Sequence, residues 1–153
     1  ETELAPEIGM LNRYCKCQFN HGRPMRLTSF TDFGLRALMR MASMPQKAFS
    51  TAELSDEFAL SRHHLTKIIA ALSQAGIVVT RRGGGGGAVL ARPADQITLG
   101  DVVRGLEADQ DLVECSITAT CRLKARMHSA ERALLADLDR STLADIALPA
   151  PTL

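Results

Sequence analysis

STAELSDEFALSRHHLTKIIAALSQAG, residues 50–76, contains two short helical patterns separated by a brief break. Ser50 and Glu53 have the spacing of a capping box, which places a helix start at this serine. Ser61 can cap the second helix, and Gly76 follows its last turn as a C′ residue. Two short helices joined by a tight turn, with a basic N-terminal end on the second, predict a helix-turn-helix.

The spacing of the apolar residues changes directly after this stretch. IVVT (77–80) and AVLA (88–91) are short apolar or β-branched runs on either side of RRGGGGG (81–87), which is the pattern of a β-hairpin. A hairpin that follows a helix-turn-helix is a wing. The chain is therefore predicted to be mostly α-helical with a small β-hairpin wing. Its architecture would be a winged helix-turn-helix followed by a long C-terminal dimerisation helix.

Helical patterns also flank the winged segment. LTSFTDFGLRALMRMASM (27–44) has an apolar stripe at helical spacing, and Ser29 with Asp32 resembles a capping box that would start this helix. Thr98 and Asp101 form a further predicted cap, ahead of a short helix.

The predicted dimerisation helix depends on an apolar stripe near the C-terminus. Its members are separated by steps of four, three, four and four residues, which suits a helix that packs against another helix. They are Leu123, Met127, Ala130, Leu134 and Leu138. The predicted partner is the same helix of a second copy, so the sequence predicts a homodimer.

These patterns divide the chain into five segments. They are an irregular extension at 1–24, a winged helix-turn-helix domain at 25–106, a cysteine loop at 107–122, a dimerisation helix at 123–146 and a tail at 147–153. With 153 residues, 46% of them hydrophobic, the chain is expected to form one globular domain, or one domain with an appendage. No apolar run approaches the roughly 20 residues of a membrane span, and no signal-peptide core is visible. A cytoplasmic protein without membrane contact is therefore expected.

Residues 59–94 contain no Asp or Glu, although the net charge of the whole chain is only +1. The basic residues of this stretch fall mainly on the second helix and the wing, where they would attract phosphate. The N-terminal end of such a helix reaches base edges in the major groove, and a wing reaches the backbone or the minor groove. The predicted DNA-binding residues are Ser61, Arg62, His63, His64, Lys67, Arg81, Arg82 and Gly83.

Each of these signals also has an ordinary structural explanation. A basic stretch is commonly a solvated face, His63 and His64 can be a surface pair, and a glycine run can be only a flexible loop. Because the three signals coincide on one helix-turn-helix and its wing, double-stranded DNA is the predicted partner. No enzyme is predicted, since the chain lacks a GxxxxGK[ST] phosphate loop, an HExxH motif and a nucleophile–base pair.

Cys115 and Cys121 lie in LVECSITATCRLKARM (112–127), ahead of the dimerisation helix. In a reducing compartment a cysteine pair is more often a ligand or a sensor than a disulfide. Cys121 is predicted at a helix N-terminus beside Arg122, and both features favour the thiolate that binds iron or reacts with oxidants. The structural alternative is a pair of small buried hydrophobic side chains, which fits poorly beside charged neighbours.

The order of these motifs resembles the bacterial winged-helix repressors that carry iron–sulfur clusters. The resemblance is greatest to their nitric-oxide-sensing NsrR branch; IscR belongs to the same family. It covers residues 25–146 and is carried by MRLTSFTDFGLRALMRMAS, SRHHLTKII, RRGGGGGAVLARPADQITLGDVVRGLE, LVEC, CRLK and STLADI. It implies a dimer that binds a two-fold operator, and an iron–sulfur cluster that controls the affinity for DNA.

The resemblance also implies the cluster ligands. Cys115 and Cys121 would be thiolate ligands, and Asp32 would supply a carboxylate from the opposite subunit. As a residue of a first helical turn, Asp32 is equally well explained as a cap. A 4Fe–4S cluster is favoured over a 2Fe–2S centre, although the family's loop normally carries three cysteines and this loop has two.

The shortened loop leaves several outcomes open. The remaining cluster position could take an external ligand, Cys15 or Cys17 from the extension, or His128. The loop could also leave the protein without a cluster. The leading hypothesis is a repressor that senses nitric oxide. The alternatives are a sensor of iron or cluster supply, and a cluster-free winged-helix protein that responds to thiol oxidation.

Overall fold

The computed structural model describes residues 27–81, 83, 86–107 and 122–148. Its helices are α1 (Ser29–Ser43), α2 (Thr51–Phe58), α3 (Arg62–Gln74), α4 (Leu99–Leu106) and α5 (Arg122–Leu138); β1 (Val78–Arg81), β2 (Gly87–Leu90) and a 3₁₀ turn (Ala94–Gln96) lie between α3 and α4. The predicted fold class, mostly helical with an antiparallel hairpin wing, is confirmed. Within the described ranges, no helix is long and apolar enough to cross a membrane. The extension at 1–24 lies outside them.

The two helices of the helix-turn-helix start where the serine pattern places them. Ser50 Oγ accepts the Glu53 N–H at 3.1 Å, and Ser61 Oγ accepts the His64 N–H at 3.2 Å. Each bond satisfies one of the backbone donors that a helix N-terminus leaves unpaired. Only half of the capping box predicted at Ser50 forms, because the Glu53 carboxylate pairs with Lys47.

The turn between α2 and α3 is closed by reciprocal hydrogen bonds. Ala59 adopts a left-handed conformation, with φ of 52°, and the Leu60 N–H donates to the Ser55 carbonyl at 3.0 Å. In return, the Ser55 hydroxyl donates to the Leu60 carbonyl. These bonds fix the angle at which α3 leaves α2.

α3 lies at the centre of the core and packs on α1, α2 and α4. Its apolar stripe is buried completely or nearly so; the stripe consists of Leu65, Ile68, Ile69 and Leu72. Leu38 of α1, Leu54 of α2 and Val102 of α4 close around it. Burying one such side chain stabilises the fold by roughly 1.5–3 kcal/mol, so the stripe determines which side of α3 faces the interior.

α3 ends as the sequence predicts. Gly76 has φ of 69°, and its N–H donates to the Ser73 carbonyl at 3.1 Å. The Ile77 N–H donates to the Leu72 carbonyl at 3.0 Å. This pair of bonds is a Schellman motif, and it turns the chain directly from α3 into β1.

The N-terminal cap of α1 differs from the prediction. Thr28, not Ser29, is the N-cap: its backbone is extended and its Oγ1 accepts the Thr31 N–H at 3.2 Å. In a capping box the third residue of the helix reaches back to the N-cap, and with Thr28 as the N-cap that residue is Thr31. Asp32 is the fourth residue of the helix. Its carboxylate instead accepts a hydrogen bond from Arg36 Nε at 2.9 Å. The predicted capping box of Ser29 and Asp32 is therefore wrong.

The wing gains a third backbone partner that the sequence does not predict. β1 and β2 pair in an antiparallel register that runs from Val78 opposite Leu90. On the other side of β2, Ala88 and Phe49 exchange two backbone hydrogen bonds, of 2.8 and 3.0 Å. A Cβ on Gly87 would lie 2.6 Å from the Phe49 carbonyl oxygen. Only glycine permits this approach, which anchors the wing to the segment before α2.

The C-terminal helix is shorter than predicted. α5 ends at Leu138, whereas the predicted dimerisation helix continues to residue 146. The chain then returns to the winged-helix domain, where the Ser141 carbonyl accepts the Leu99 N–H at 2.9 Å. Leu143 is fully buried in the core. The predicted boundary is wrong because this burial is a long-range contact, which helical spacing does not reveal.

An ion pair joins the end of α5 to α4. Arg104 Nη1 donates to Asp139 Oδ1 at 2.8 Å, and Nη2 donates to Oδ2 of the same carboxylate. The hydrogen bond from the guanidinium, followed by its charge, holds the pKa of Asp139 below its ordinary value. The same bond raises the pKa of Arg104.

Gly87→Ala is expected to destabilise the protein by about 1–3 kcal/mol, because the new Cβ meets backbone atoms that cannot rotate away. Gly76→Ala is the comparison: a Cβ there meets nothing within 4 Å, and only the φ of 69° opposes it. That substitution should cost about 1–2 kcal/mol. Equilibrium urea unfolding measures both, and a neutral or stabilising Gly87→Ala would contradict the described contact with Phe49.

Asp139→Asn is expected to lower stability near neutral pH. Because the folded-state pKa of Asp139 is depressed, its contribution is present above the ordinary aspartate pKa of about 3.9 and is lost as the pH falls through the depressed value. The urea midpoints of the variant and the parent should therefore approach each other as the pH falls below the ordinary aspartate pKa. Asp137→Asn is the matched control, since its partner Arg140 is 3.9 Å away and both side chains are largely exposed. A midpoint difference that does not change with pH would contradict this role.

Candidate nucleic-acid interface

α3 presents a polar, basic side to solvent opposite its buried stripe. Arg62, His63 and Lys67 are exposed on that side, near the N-terminal end of the helix. Ser61 is exposed as well, and its side chain caps the helix as described above. The helix is thus oriented by its apolar stripe, and the predicted contact residues point away from the core.

His64 has a different environment from its neighbours. Its side chain is half-buried, and its ring packs edge-to-face on Phe30 and Phe33 of α1, with centroids 5.9 and 6.3 Å away. The imidazole therefore joins the first turn of α3 to α1. Its predicted contact with DNA stays a prediction, while its packing role is evident.

The wing extends the exposed basic surface beyond α3. Arg81 ends β1 and is exposed, together with Val79 and Thr80 on the same strand. Gly83 is exposed and has φ of 109°, a conformation that L side chains rarely adopt. Arg82 lies outside the described residues.

No carboxylate of the described residues neutralises the charges of α3 and β1. Among the described residues, Arg62, Lys67 and Arg81 have no ion-pair partner, and no carboxylate occurs between residues 59 and 94. Arg92, which also belongs to this stretch, contacts Asp101 at 3.7 Å. We call the exposed residues Ser61, Arg62, His63, Lys67 and Arg81 the basic face.

Cations of α1 and of the segment before α2 are paired. Arg40 of α1 lies 3.0 Å from the Glu57 carboxylate of α2, and Lys47 pairs with Glu53. Both cations also approach the ring of Phe49, at 5.6 and 4.9 Å from its centroid. Among the described residues of 27–107, the unpaired cations therefore lie on α3 and β1, where they would favour a polyanion.

Two further residues of α3 face solvent beside the basic face and were not predicted. Thr66 and Ala70 follow Arg62 at steps of four residues and are exposed. The Thr66 hydroxyl donates to the Arg62 carbonyl at 2.7 Å, so its proton is used within the helix. Threonine and alanine methyl groups are suited to contact the thymine methyl in the major groove. Helical spacing from Arg62 would have identified both.

A hydrogen-bond network joins α1 to the end of α4. Glu107 Oε1 accepts the Thr28 N–H at 3.1 Å, the Thr28 hydroxyl at 2.8 Å and the hydroxyl of Thr31. Thr31 is fully buried. The same first turn of α1 carries Asp32, whose side chain is 35% exposed and paired with Arg36. The sequence gives no local signal for this network, because Glu107 and Thr28 are 79 residues apart.

The remaining predicted iron ligands are not located by the structure. Cys115 and Cys121 lie outside the described residues, as do Cys15 and Cys17. In the described ranges, no three His, Cys, Asp or Glu side chains come together as a metal site. His128 lies on α5, with Nδ1 3.4 Å from the Glu131 carboxylate.

A family model described as "Rrf2: Iron-dependent Transcriptional regulator" matches residues 27–148. The chain belongs to the Rrf2 family. It is accordingly a DNA-binding transcriptional regulator, and members of this family are regulators rather than enzymes. The winged-helix prediction and the family of the resemblance are thereby confirmed, whereas the assignment to the nitric-oxide-sensing NsrR branch is not.

Solved Rrf2-type structures share the fold of this chain. CymR (YrzC), the global cysteine regulator of Bacillus subtilis, is 29% identical, covers 80% of this chain and 96% of its own, and has a TM-score of 0.65. A transcriptional regulator from Listeria innocua is 31% identical over 82% of this chain and 88% of its own, with a TM-score of 0.65. IscR from T. potens is 27% identical over 80% and 86% of the two chains, with a TM-score of 0.63.

Substitutions on the basic face should separate affinity from sequence choice. Arg81→Ala is expected to weaken binding to all duplexes and to reduce the slope of log K against log salt by about 1, because one phosphate contact is lost. His63→Ala is expected to relax the choice of operator. Arg140→Ala, at an exposed arginine two residues beyond α5, is the control and should change neither. Fluorescence anisotropy over a salt series, with selected and unrelated duplexes, measures both effects. If Arg81→Ala and His63→Ala behave identically on all duplexes, the two residues do not have these separate roles.

Proposed function

We propose that this Rrf2 protein is a homodimeric repressor whose affinity for its DNA operator is controlled by an iron–sulfur cluster that responds to nitric oxide. The observation that carries the proposal is the Glu107 network, which ties the start of the cysteine loop to the helix that carries Asp32. The basic face supplies the DNA contact, and the resemblance in residues 25–146 supplies the cluster.

The basic face fits one half of a two-fold operator. α3 would enter the major groove with Arg62, His63 and Lys67 toward the bases and the phosphates, while Arg81 on the wing would meet the adjacent backbone or minor groove. Two copies of α3 must then lie about 34 Å apart to reach successive major grooves. The relative position of two subunits would therefore control affinity.

α5 supports the proposed dimer. Among its residues none is buried in the single chain. Leu123 and Leu134, members of the predicted stripe, are 59% and 41% exposed. A second α5 would cover this apolar surface.

The donor atoms available to a cluster are thiolates and a carboxylate. Cys115 and Cys121 would hold it in one subunit, and Asp32, half-buried on α1 and paired with Arg36, would reach it from the other. These donor types suit iron, and two loop cysteines leave at least one position to an external ligand. When bound, the cluster supplies iron that reacts with nitric oxide.

The chain's own residues provide a route from the cysteine loop to the DNA. Glu107 directly precedes residues 108–121 and holds Thr28 and Thr31 at the start of α1. The same turn contacts the first turn of α3, because Phe30 and Phe33 pack on His64. A displacement of the loop that moves Glu107 would therefore act on the N-terminal end of α3, where the bases are read.

A second candidate is thiol sensing without a cluster, and it is favoured by the loop's two cysteines. The oxidised form of Staphylococcus aureus CymR has the same fold, with 26% identity, a TM-score of 0.63 and coverage of 84% of this chain and all of its own. Cys115 and Cys121 would then respond to an oxidant directly. Sensing of iron or cluster supply is a third candidate, in view of the similarity to IscR.

Anaerobic purification followed by an absorption spectrum, iron and sulfide counts, and titration of a selected duplex distinguishes these candidates. Under the proposal the protein carries iron and sulfide, and nitric oxide weakens DNA binding by at least roughly tenfold, or about 1.4 kcal/mol. Cys121→Ser should lose the iron and the response, whereas Ser129→Ala, a control at an exposed residue of α5, should keep both. Equal affinity with and without nitric oxide refutes the sensing claim. A colourless, iron-free protein whose DNA binding changes with an oxidant establishes the thiol candidate instead.

A further inference from the structure

The ion pair between Arg104 and Asp139 lies at the junction of two parts of the molecule. Arg104 is in the last turn of α4 within the winged-helix domain, and Asp139 directly follows the last residue of α5. The guanidinium and the carboxylate share two parallel hydrogen bonds, and the Thr98 hydroxyl adds a third contact to Asp139 Oδ1 at 3.3 Å. Such two-bond pairs fix direction as well as distance.

The backbone around this pair is shaped to receive it. A Cβ on Gly100 would lie 1.9 Å from Asp139 Oδ1 and 3.0 Å from Arg104 Nη1. The missing side chain at Gly100 therefore leaves the space that the carboxylate occupies. Beside it, the Thr98 and Thr142 backbones form an isolated β-bridge. We call this junction, formed by Thr98, Gly100, Arg104 and Asp139, the clasp.

Within the described ranges, α4 is the one element that α5 contacts extensively. None of the residues of α5 is buried in the single chain. Leu143, just beyond the clasp, is fully buried and fixes the position of the returning chain. The clasp and Leu143 therefore hold the C-terminal end of α5 against the domain that carries α3.

We propose that Arg104 and Asp139 are positioning residues that set the angle between α5 and the winged-helix domain, and thereby the half-site spacing that a dimer recognises. The inference depends on the proposed function only in requiring that two copies pair through α5. With 17 residues α5 is about 25 Å long. A tilt of about 8° at the clasp moves its far end by roughly 3.4 Å, the rise of one base pair.

Two variants break the clasp by different chemistry. Asp139→Asn removes the charge that holds the guanidinium and keeps the shape of the side chain. Gly100→Ala leaves both charges and displaces the Asp139 carboxylate. Because this carboxylate is the end of a partly exposed side chain, the backbone stays in place. Alanine also favours the helix over glycine by up to about 1 kcal/mol. Asp137→Asn, with its exposed and distant partner Arg140, is the matched control.

The test is selection of bound duplexes from a randomised pool, followed by affinity measurements on the selected site, on the same site lengthened by one base pair, and on a single half-site. The parent and Asp137→Asn should select one half-site spacing and lose roughly tenfold or more in affinity on the lengthened duplex. Asp139→Asn and Gly100→Ala should select several spacings, and their affinity should fall less than about threefold on the lengthened duplex. Their affinity for the single half-site should be unchanged. That combination is not expected from a loss of folding, which would weaken all three duplexes.

Two outcomes would overturn these claims separately. If the parent is monomeric by sedimentation, or selects single half-sites, the proposed dimeric repressor is wrong. The second outcome is a parent that selects paired half-sites and two clasp variants that select the same single spacing as the parent. If these variants also lose as much affinity as the parent on the lengthened duplex, the clasp does not set the spacing. Thermal melts of each variant establish that the comparison is made between folded proteins.

Discussion

Burial of the apolar stripe of α3 is the interaction on which the rest of this structure depends. Leu65, Ile68 and Leu72 are inaccessible to solvent, and they can be so in only one rotation of the helix. That rotation places Arg62 and Lys67 outward. The DNA-binding surface is therefore a consequence of core packing, because the same helix supplies the centre of the core and the residues that face a duplex.

The charge of that surface stands out because cations of α1 and of the neighbouring loops form ion pairs. Arg40 and Lys47 are paired with carboxylates of α2, and Arg92 contacts Asp101. A net charge of +1 conceals this arrangement, since within the described residues of 27–107 the carboxylates pair with cations outside α3 and β1. The resulting local field attracts phosphate even though the whole chain is nearly neutral.

α1 connects the parts of the molecule that the proposed mechanism requires to act together. Its first turn is held by Glu107, packs on His64 of α3 and carries Asp32. α1 is also part of the core, through Leu38 and its neighbours, so its first turn cannot move without disturbing the contacts of α3. The clasp, whose Arg104 lies three residues before Glu107 at the end of α4, has the corresponding place between the domain and α5.

The sequence by itself determined the helix-turn-helix, the wing and most of the basic face, because these depend on neighbours within a few residues. Ser61 as a cap, Gly76 as a helix end and the carboxylate-free stretch 59–94 are local patterns. Tertiary structure alone decided the pairing of Phe49 with the wing, the contact of Glu107 with α1 and the early end of α5. Each of these depends on hydrogen bonds between residues far apart in the chain. The spacing of apolar residues does not indicate which distant backbone group or carboxylate will form such a hydrogen bond.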